Sequence, residues 1–110
     1  MKLPKGDAAI VDIAKIRDYC LNPSHPRGKH KARVFHSVLG MTAVHAEELR
    51  EALATVARDG DATIGSSDSY GTRYIIDFEM KRSDRTARIR SWWIVRSGES
   101  EARFVTCFVL

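Results

Sequence analysis

The hydrophobic pattern of the chain changes its period once, near the middle of the 110 residues. In the first half, apolar residues recur every three or four positions, which is typical of amphipathic helices. In the second half, apolar and polar residues alternate, which is typical of strands with one buried face. A run of helices followed by a run of strands predicts an α+β fold, with N-terminal helices packed on an antiparallel sheet.

The helical part is predicted to cover residues 8–58. One helix is expected from Lys29 to Leu39, because Ala32, Phe35 and Leu39 recur as a single buried stripe. Gly40 is expected to end it, since glycine readily adopts the left-handed conformation that follows a helix. A second helix is expected over residues 43–58, with Thr42 as its N-cap.

The strand part is predicted to cover residues 73–110. Residues 59–72 are rich in Gly, Ser and Asp and are predicted to form a loop, with room for a short strand at 62–64. Strands are then expected over 73–81, 86–96 and 102–110. The last of them is apolar on both faces, so we place it centrally or under a covering element. Residues 1–110 are expected to form one domain with an antiparallel sheet of three to four strands.

The run from Arg27 to Arg33 concentrates five basic or titratable side chains in seven residues at the expected start of a helix. Pro23 and Pro26 stiffen the loop before it, so the cluster is presented in a fixed place. Cations bind phosphate, and His30 can exchange protons near neutral pH. The run therefore has the groups needed to cut RNA without a metal, although an ordinary solvated basic turn has the same composition.

A second candidate cluster lies on the strand from Arg88 to Trp93. Trp92 and Trp93 are adjacent, so they point to opposite faces of the sheet. One is expected in the core, and the other is either covered by a helix or free to stack on a base. The alternative is that both tryptophans are structural, with Arg88 and Arg90 covering the edges of the outer one.

Several classes of site and protein are not indicated by the sequence. It has no glycine-rich phosphate loop and no Gly-x-Ser-x-Gly elbow, and its acidic residues and histidines lack the spacing of a metal site, so we expect no metal and no cofactor. Cys20 and Cys107 are interpreted as small buried hydrophobes. No disulfide framework is implied, and this suits a protein of a reducing compartment. No stretch reaches membrane-spanning length, and we expect a cytoplasmic protein that does not contact a membrane.

The net charge of +4 permits binding to nucleic acid or to an acidic protein.

Longer stretches resemble a widespread group of small bacterial proteins whose domain also occurs at the C-termini of polymorphic toxins. They are residues 18–35, Leu39-Gly40, Tyr70-Gly71-x-x-Tyr74, Trp93-Ile94-Val95 and Val105-Thr106. The order of elements also resembles the barnase–EndoU–colicin–RelE group of ribonucleases, and colicin D is the most similar pattern. Its Lys-x-Lys-His element is matched by residues 27–30, with Arg27 in place of the leading lysine. Its Ser-x-Trp element is matched by residues 91–93.

This resemblance implies a metal-independent endoribonuclease of toxin type that cuts RNA, with tRNA as one candidate substrate, by attack of the ribose 2′-hydroxyl. The residues then expected to act in catalysis are His30, Lys29 and Ser91. Those expected to bind the substrate are Arg27, Lys31, Arg33, Arg88, Arg90, Trp92, Trp93 and Thr106. An acidic antitoxin or immunity protein is the expected partner. The alternative is a non-catalytic module of a toxin–antitoxin-like pair that binds RNA or protein.

Overall fold

A computed structural model describes all 110 residues, and its first half is helical. Helix α1 is a single turn, Ile13–Lys15, that continues as a π-helical turn, Ile16–Cys20. Helix α2 spans Lys29–Leu39. After a 3-10 turn, Ala43–His45, helix α3 spans Ala46–Asp59.

The second half forms a four-stranded antiparallel sheet. Its strands are β1 (Ala62–Asp68), β2 (Gly71–Arg82), β3 (Arg85–Arg96) and β4 (Arg103–Val109). They follow one another in the order β1-β2-β3-β4, and each pairs with the next. The predicted α+β fold, with helices packed on an antiparallel sheet, is confirmed.

The structure has a full strand β1 where the sequence predicted a loop over 59–72 with room for a short strand. Only Ala62 of its seven residues is buried, so the strand carries no alternating pattern of apolar side chains. Its place in the sheet comes from backbone pairing with β2 from Ala62 to Asp68, broken by an irregularity between Ile64 and Ser66. Edge strands of this kind are invisible to a search for hydrophobic periodicity.

The ends of helix α2 follow the sequence prediction. Gly40 adopts a left-handed conformation with φ 65°, and its amide donates to the carbonyl oxygen of His36 at 2.9 Å. After it, Thr42 and His45 form a reciprocal capping arrangement in which the Thr42 amide donates to His45 Nδ1 at 3.0 Å. Both features fix where α2 stops and where α3 begins.

One hydrophobic core lies between the helices and one face of the sheet. Ala32, Phe35 and Leu39 of α2 are buried in it, as the helical stripe predicted. From α3 the buried residues are Ala46, Leu49, Leu53 and Ala57. Strand β4, predicted as central or covered, is an edge strand, but the backbone of Ile10 pairs with it through Ala102 and Phe104 at 2.9 Å each. None of the helices is both long and apolar enough to span a bilayer.

Candidate functional site

Helix geometry divides the basic run into separate surfaces. At 3.6 residues per turn, Lys29 and Arg33 lie on one side of α2, and Lys31 lies on the opposite side. His30 points away from the core between them and is exposed, as are Arg27, Lys29 and Arg33. Lys31 is half-buried. The basic run, which the sequence predicted to act as one cluster, therefore presents its side chains on at least two separate surfaces of the protein.

Lys31 is held in a cluster with side chains from the π-helical turn and from β4. Its ammonium donates to Tyr19 Oη at 3.1 Å and to Thr106 Oγ1 at 3.3 Å. It also lies 4.8 Å from the centroid of the Tyr19 ring and 5.8 Å from that of Phe108. We call Tyr19, His25, Lys31 and Thr106 the β4-edge cluster.

An open hollow of about 620 Å³ lies beside this cluster. It is lined by Ala14, Lys15, Asp18, Tyr19, His25, Val105 and Thr106. Lys15 donates to the carbonyl oxygen of Phe104 at 3.0 Å, which fixes the position of a second ammonium group in this wall. The carboxylate of Asp18 is bound by Arg17 through two hydrogen bonds of 2.8 and 2.9 Å. The hollow thus combines aromatic surface with cations whose charge no free carboxylate offsets.

His25 is fixed in this hollow by the backbone of the loop before α2. Its Nδ1 accepts the amides of Arg27 and Gly28, both at 3.0 Å. Its ring meets the Tyr19 ring edge-on, with centroids 4.8 Å apart. Because Nδ1 is used as an acceptor, Nε2 is the ring nitrogen left to donate a hydrogen bond to a ligand.

A second, smaller hollow of about 340 Å³ lies on the other side of Lys31, and it is lined by His30, Lys31, Val34, Phe108 and Val109. Lys31 lines this second hollow and donates hydrogen bonds to Tyr19 and Thr106, which line the first hollow. Its side chain therefore lies between the two hollows. The His30 side chain makes no hydrogen bond or ion pair within the chain, and its ring is free to meet a ligand here.

One long part of the sequence contains basic residues and no acidic ones. No aspartate or glutamate occurs between Asp18 and Glu47, although all four histidines and four of the lysines and arginines do. Elsewhere most arginines form ion pairs with carboxylates, for example Arg90 with Asp77 at 2.9 Å. Lys31 has no carboxylate partner. A half-buried ammonium group that has no carboxylate partner within the protein can bind an anion from outside the protein.

Two cysteines lie directly behind the cluster. Cys20 Sγ is 3.6 Å from Thr106 Oγ1, and it also interacts with the thiol of Cys107. The hydrogen bond from Cys107, aided by Thr106 and the Lys31 ammonium, lowers the pKa of Cys20 to about 6. The same interaction, with burial, raises the pKa of Cys107. Both are buried as predicted, but Cys20 is more polar than a small hydrophobe and helps to orient the Thr106 hydroxyl.

The second predicted cluster divides between the two faces of β3. Ser91 and Trp93 have no accessible surface, and the Ser91 hydroxyl accepts the Trp93 indole N–H at 2.9 Å and donates to the Ile76 carbonyl oxygen at 2.8 Å. The structure thus corrects the expectation that they contact a substrate, because their polar groups are bound to each other inside the core. Trp93 also packs edge-on against Phe104.

Trp92 lies on the face of the sheet opposite the helices and is half-buried. A Cβ at Gly65 would be 3.0 Å from Trp92 Cζ3, so the indole covers the irregularity in β1. Arg90 is bound to Asp77 through two hydrogen bonds of 2.9 Å, whereas Arg88 is exposed without an ion pair. Of this cluster, Arg88 and Trp92 remain accessible to a ligand.

Sequence reasoning missed three residues of the site: Lys15, Tyr19 and His25. Tyr19 and His25 fall within the stretch that carries the family resemblance, but nothing in their spacing marked them. The available signal was the helical position of Lys31, which places it beside the buried stripe rather than on the exposed face. A lysine at that position needs polar partners from another element.

The sequence matches a protein-family model described as a domain of unknown function, DUF6883, over residues 2–110, and the chain belongs to that family. No curated protein matches it. Among solved structures, one chain of a contact-dependent growth inhibition toxin–immunity protein complex from Klebsiella pneumoniae 342 is similar. The TM-score is 0.61 and the sequence identity 19%, over 92% of this chain and 99% of that chain. At this identity the likeness shows a common fold. The specific resemblance to colicin D stays a prediction.

Proposed function

We propose that this member of the DUF6883 family is a metal-independent endoribonuclease of toxin type, with its chemistry at the β4-edge cluster and the neighbouring His30. The observation that carries the proposal is Lys31, a half-buried ammonium group between Tyr19, Thr106 and an open hollow, with no carboxylate partner. A phosphodiester supplies the missing negative charge. The fold it shares with a chain of a toxin–immunity complex supports the toxin type.

In the proposed reaction, the 2′-oxygen of a ribose attacks the adjacent phosphorus, and the bond from phosphorus to the 5′-oxygen breaks. His30, whose side chain is unpaired in the second hollow, accepts the proton of the 2′-hydroxyl. Tyr19 Oη accepts a hydrogen bond from Lys31 and keeps its own proton, which it gives to the departing 5′-oxygen. The products are a 2′,3′-cyclic phosphate and a 5′-hydroxyl.

The other groups of the cluster would stabilise the charge that develops on the phosphate oxygens. The Lys31 ammonium is held by two hydrogen bonds, so it needs little rearrangement during the reaction. His25 Nε2 would donate to a phosphate oxygen, and Lys15 adds a second cation in the same hollow. Arg27, exposed before α2, and Trp92, on the open sheet face, would bind neighbouring phosphates and bases.

The test is to incubate the purified protein with total RNA and with tRNA in EDTA and to analyse the fragment ends. We expect cleavage with 2′,3′-cyclic phosphate ends, reduced about a hundredfold or more in Lys31→Ala and in His30→Ala. Lys81→Ala removes an exposed lysine from the far end of β2 and is the matched control. No cleavage by the unaltered protein, or equal cleavage by Lys31→Ala and Lys81→Ala, would reject the proposal.

The partner we propose is an acidic immunity protein or antitoxin. It would cover the exposed basic side chains of residues 19–46, a segment that contains no aspartate or glutamate. The similar solved chain comes from a complex of a toxin with its immunity protein, which supports this expectation. Co-expression with the product of a neighbouring acidic reading frame should relieve growth arrest. Unrelieved arrest with every such neighbour would contradict it.

A non-catalytic binding module is the second candidate, and two observations favour it. His30 is exposed and has no hydrogen-bonding partner to orient it, whereas Ser91, the expected second half of the catalytic constellation, is buried. A binder would leave RNA intact and would be harmless on expression. Growth arrest that is lost in a folded Lys31→Ala variant would decide for the nuclease.

A further inference from the structure

A third hollow lies on the other side of α2, away from Lys31. Its volume is about 290 Å³, and it is more enclosed than the two at the edge of β4. The residues that line it are Leu21, Pro23, Lys29, Ala32, Arg33, His36, Met41 and Thr42. Leu21, Ala32 and Met41 are buried and form its floor. Lys29, Arg33 and His36 are exposed side chains on its rim.

The three rim residues occupy positions i, i+4 and i+7 of α2, so they face the same direction. None of them forms an ion pair, and no aspartate or glutamate lines the hollow. Clustering like charges on one helix face destabilises a helix, and no carboxylate of this chain offsets it here. The Thr42 hydroxyl adds a neutral hydrogen-bonding group to the wall.

We propose that this hollow binds a backbone phosphate of an RNA whose scissile bond lies at the β4-edge cluster. The inference rests on the proposed function and adds a second contact site to it. The guanidinium fork of Arg33 fits two oxygens of one phosphate, and Lys29 supplies a point charge beside it. The apolar floor offers a surface for the attached sugar.

The place of the hollow predicts which RNAs use it. Helix α2 is about 10 Å across, so the phosphate in this hollow and the one at Lys31 lie on opposite sides of a helix. A dinucleotide bound at Lys31 cannot reach the hollow. A folded stem-loop or a longer strand that passes over the N-terminal end of α2 can occupy both.

The test measures binding of a fluorescent stem-loop made of 2′-O-methyl RNA, which has no 2′-hydroxyl and cannot be cut. Anisotropy is followed across a range of salt concentrations in EDTA. In Lys29→Ala/Arg33→Ala we expect the slope of log K against log salt to fall by about 0.7–0.9, since the hollow binds one phosphate and each phosphate that is neutralised releases about 0.7–0.9 counterion. The matched control, Lys81→Ala/Arg96→Ala, removes the same charge from exposed positions elsewhere and should keep the original slope.

Two further variants and probes complete the test. Lys29→Arg/Arg33→Lys keeps the charge and should keep the slope, which separates loss of charge from loss of fold. Inorganic phosphate should shift the His36 ring resonances in NMR spectra of the unaltered protein and not of Lys29→Ala/Arg33→Ala.

Equal slopes for the alanine double variant and its control would overturn the proposal. It would also be overturned if poly-glutamate, and neither phosphate nor RNA, shifted the His36 resonances, because the hollow would then be a site for an acidic protein. Failure of the proposed function is a separate result, namely the absence of cleavage of unmodified RNA.

Discussion

Ser91 and Trp93 illustrate how a motif can match while its side chains serve the core. The Ser91 hydroxyl links two buried groups, the indole N–H of Trp93 and the carbonyl oxygen of Ile76. No buried polar side-chain atom of the protein lacks a hydrogen-bond partner, so this link is part of a fully satisfied interior. Its removal would leave the indole N–H unpaired where water cannot reach it.

We therefore predict that Ser91→Ala lowers the free energy of unfolding by about 1–3 kcal/mol, the usual cost of an unpaired buried polar group. Ser97→Ala is the matched control, because the Ser97 hydroxyl makes one hydrogen bond in an exposed turn, and its effect should stay within about 0.5 kcal/mol. Urea denaturation followed by tryptophan fluorescence measures both. Unchanged stability together with lost RNA cleavage would instead support a catalytic role for Ser91.

Cys20 should make the stability of the protein depend on pH. Its pKa is lowered to about 6 in the folded chain by the hydrogen bond from Cys107, with help from Thr106 and Lys31, against an ordinary value of 9.0. Between these values the unfolded chain binds more protons than the folded one, so the free energy of unfolding rises with pH. The stabilisation is lost as the pH falls through about 6.

The measurement is urea denaturation of the unaltered protein and of Cys20→Ala at several pH values from 6 to 8. The difference in unfolding free energy between the two proteins should grow with pH, by at most about 1.4 kcal/mol per unit, which corresponds to one proton. Parallel pH curves for the two proteins would show that the folded Cys20 thiol keeps its ordinary pKa.

At the scale of elements, Gly28 sets how closely α2 approaches the π-helical turn. A Cβ on Gly28 would overlap the carbonyl oxygen of Tyr19. The backbone at Gly28 is right-handed, with φ −83°, so any cost of a side chain there arises from this contact and not from the dihedral angles. The close approach is what brings Lys31 within 3.1 Å of Tyr19 Oη.

We predict that Gly28→Ala destabilises the protein by about 1–3 kcal/mol, because α2 must move away from Tyr19 to admit the methyl group. Ser37→Ala, on the exposed face of the same helix, is the control and should change stability by less than about 0.5 kcal/mol. Thermal unfolding compares the two. Equal melting temperatures would mean that the helix adjusts without loss of packing.

The same elements explain how far the sequence could predict this protein. Helices α2 and α3 were predictable because their stripes, their glycine stop and their Thr42 cap are local signals. Strand β1 was not, since its exposed side chains carry no pattern and its backbone partners lie in β2. The site was predictable only in part. The basic run was visible, but the contacts of Lys31 with Tyr19 and Thr106 span 12 and 75 residues, and no local pattern encodes them.

At the scale of the whole molecule, the helical and strand halves depend on each other for burial. The core cluster takes residues from every helix and strand except the three-residue α1, among them Ile16, Phe35, Leu49, Ile76 and Phe104. The backbone at Ile10 also pairs with β4, which ties the N-terminal segment to the last strand. Neither half could keep its apolar face buried without the other.

This mutual dependence predicts a single cooperative unfolding transition. Far-ultraviolet circular dichroism, dominated by the helices, and tryptophan fluorescence, which includes the buried Trp93 of β3, should give the same urea midpoint. The slope should be about 1–3 kcal/mol per molar urea, as for other small domains. If the dichroism were lost at lower urea than the fluorescence, the helices would unfold from a persistent sheet. The prediction of one domain over residues 1–110 would then fail, because only elements that share one core must unfold together.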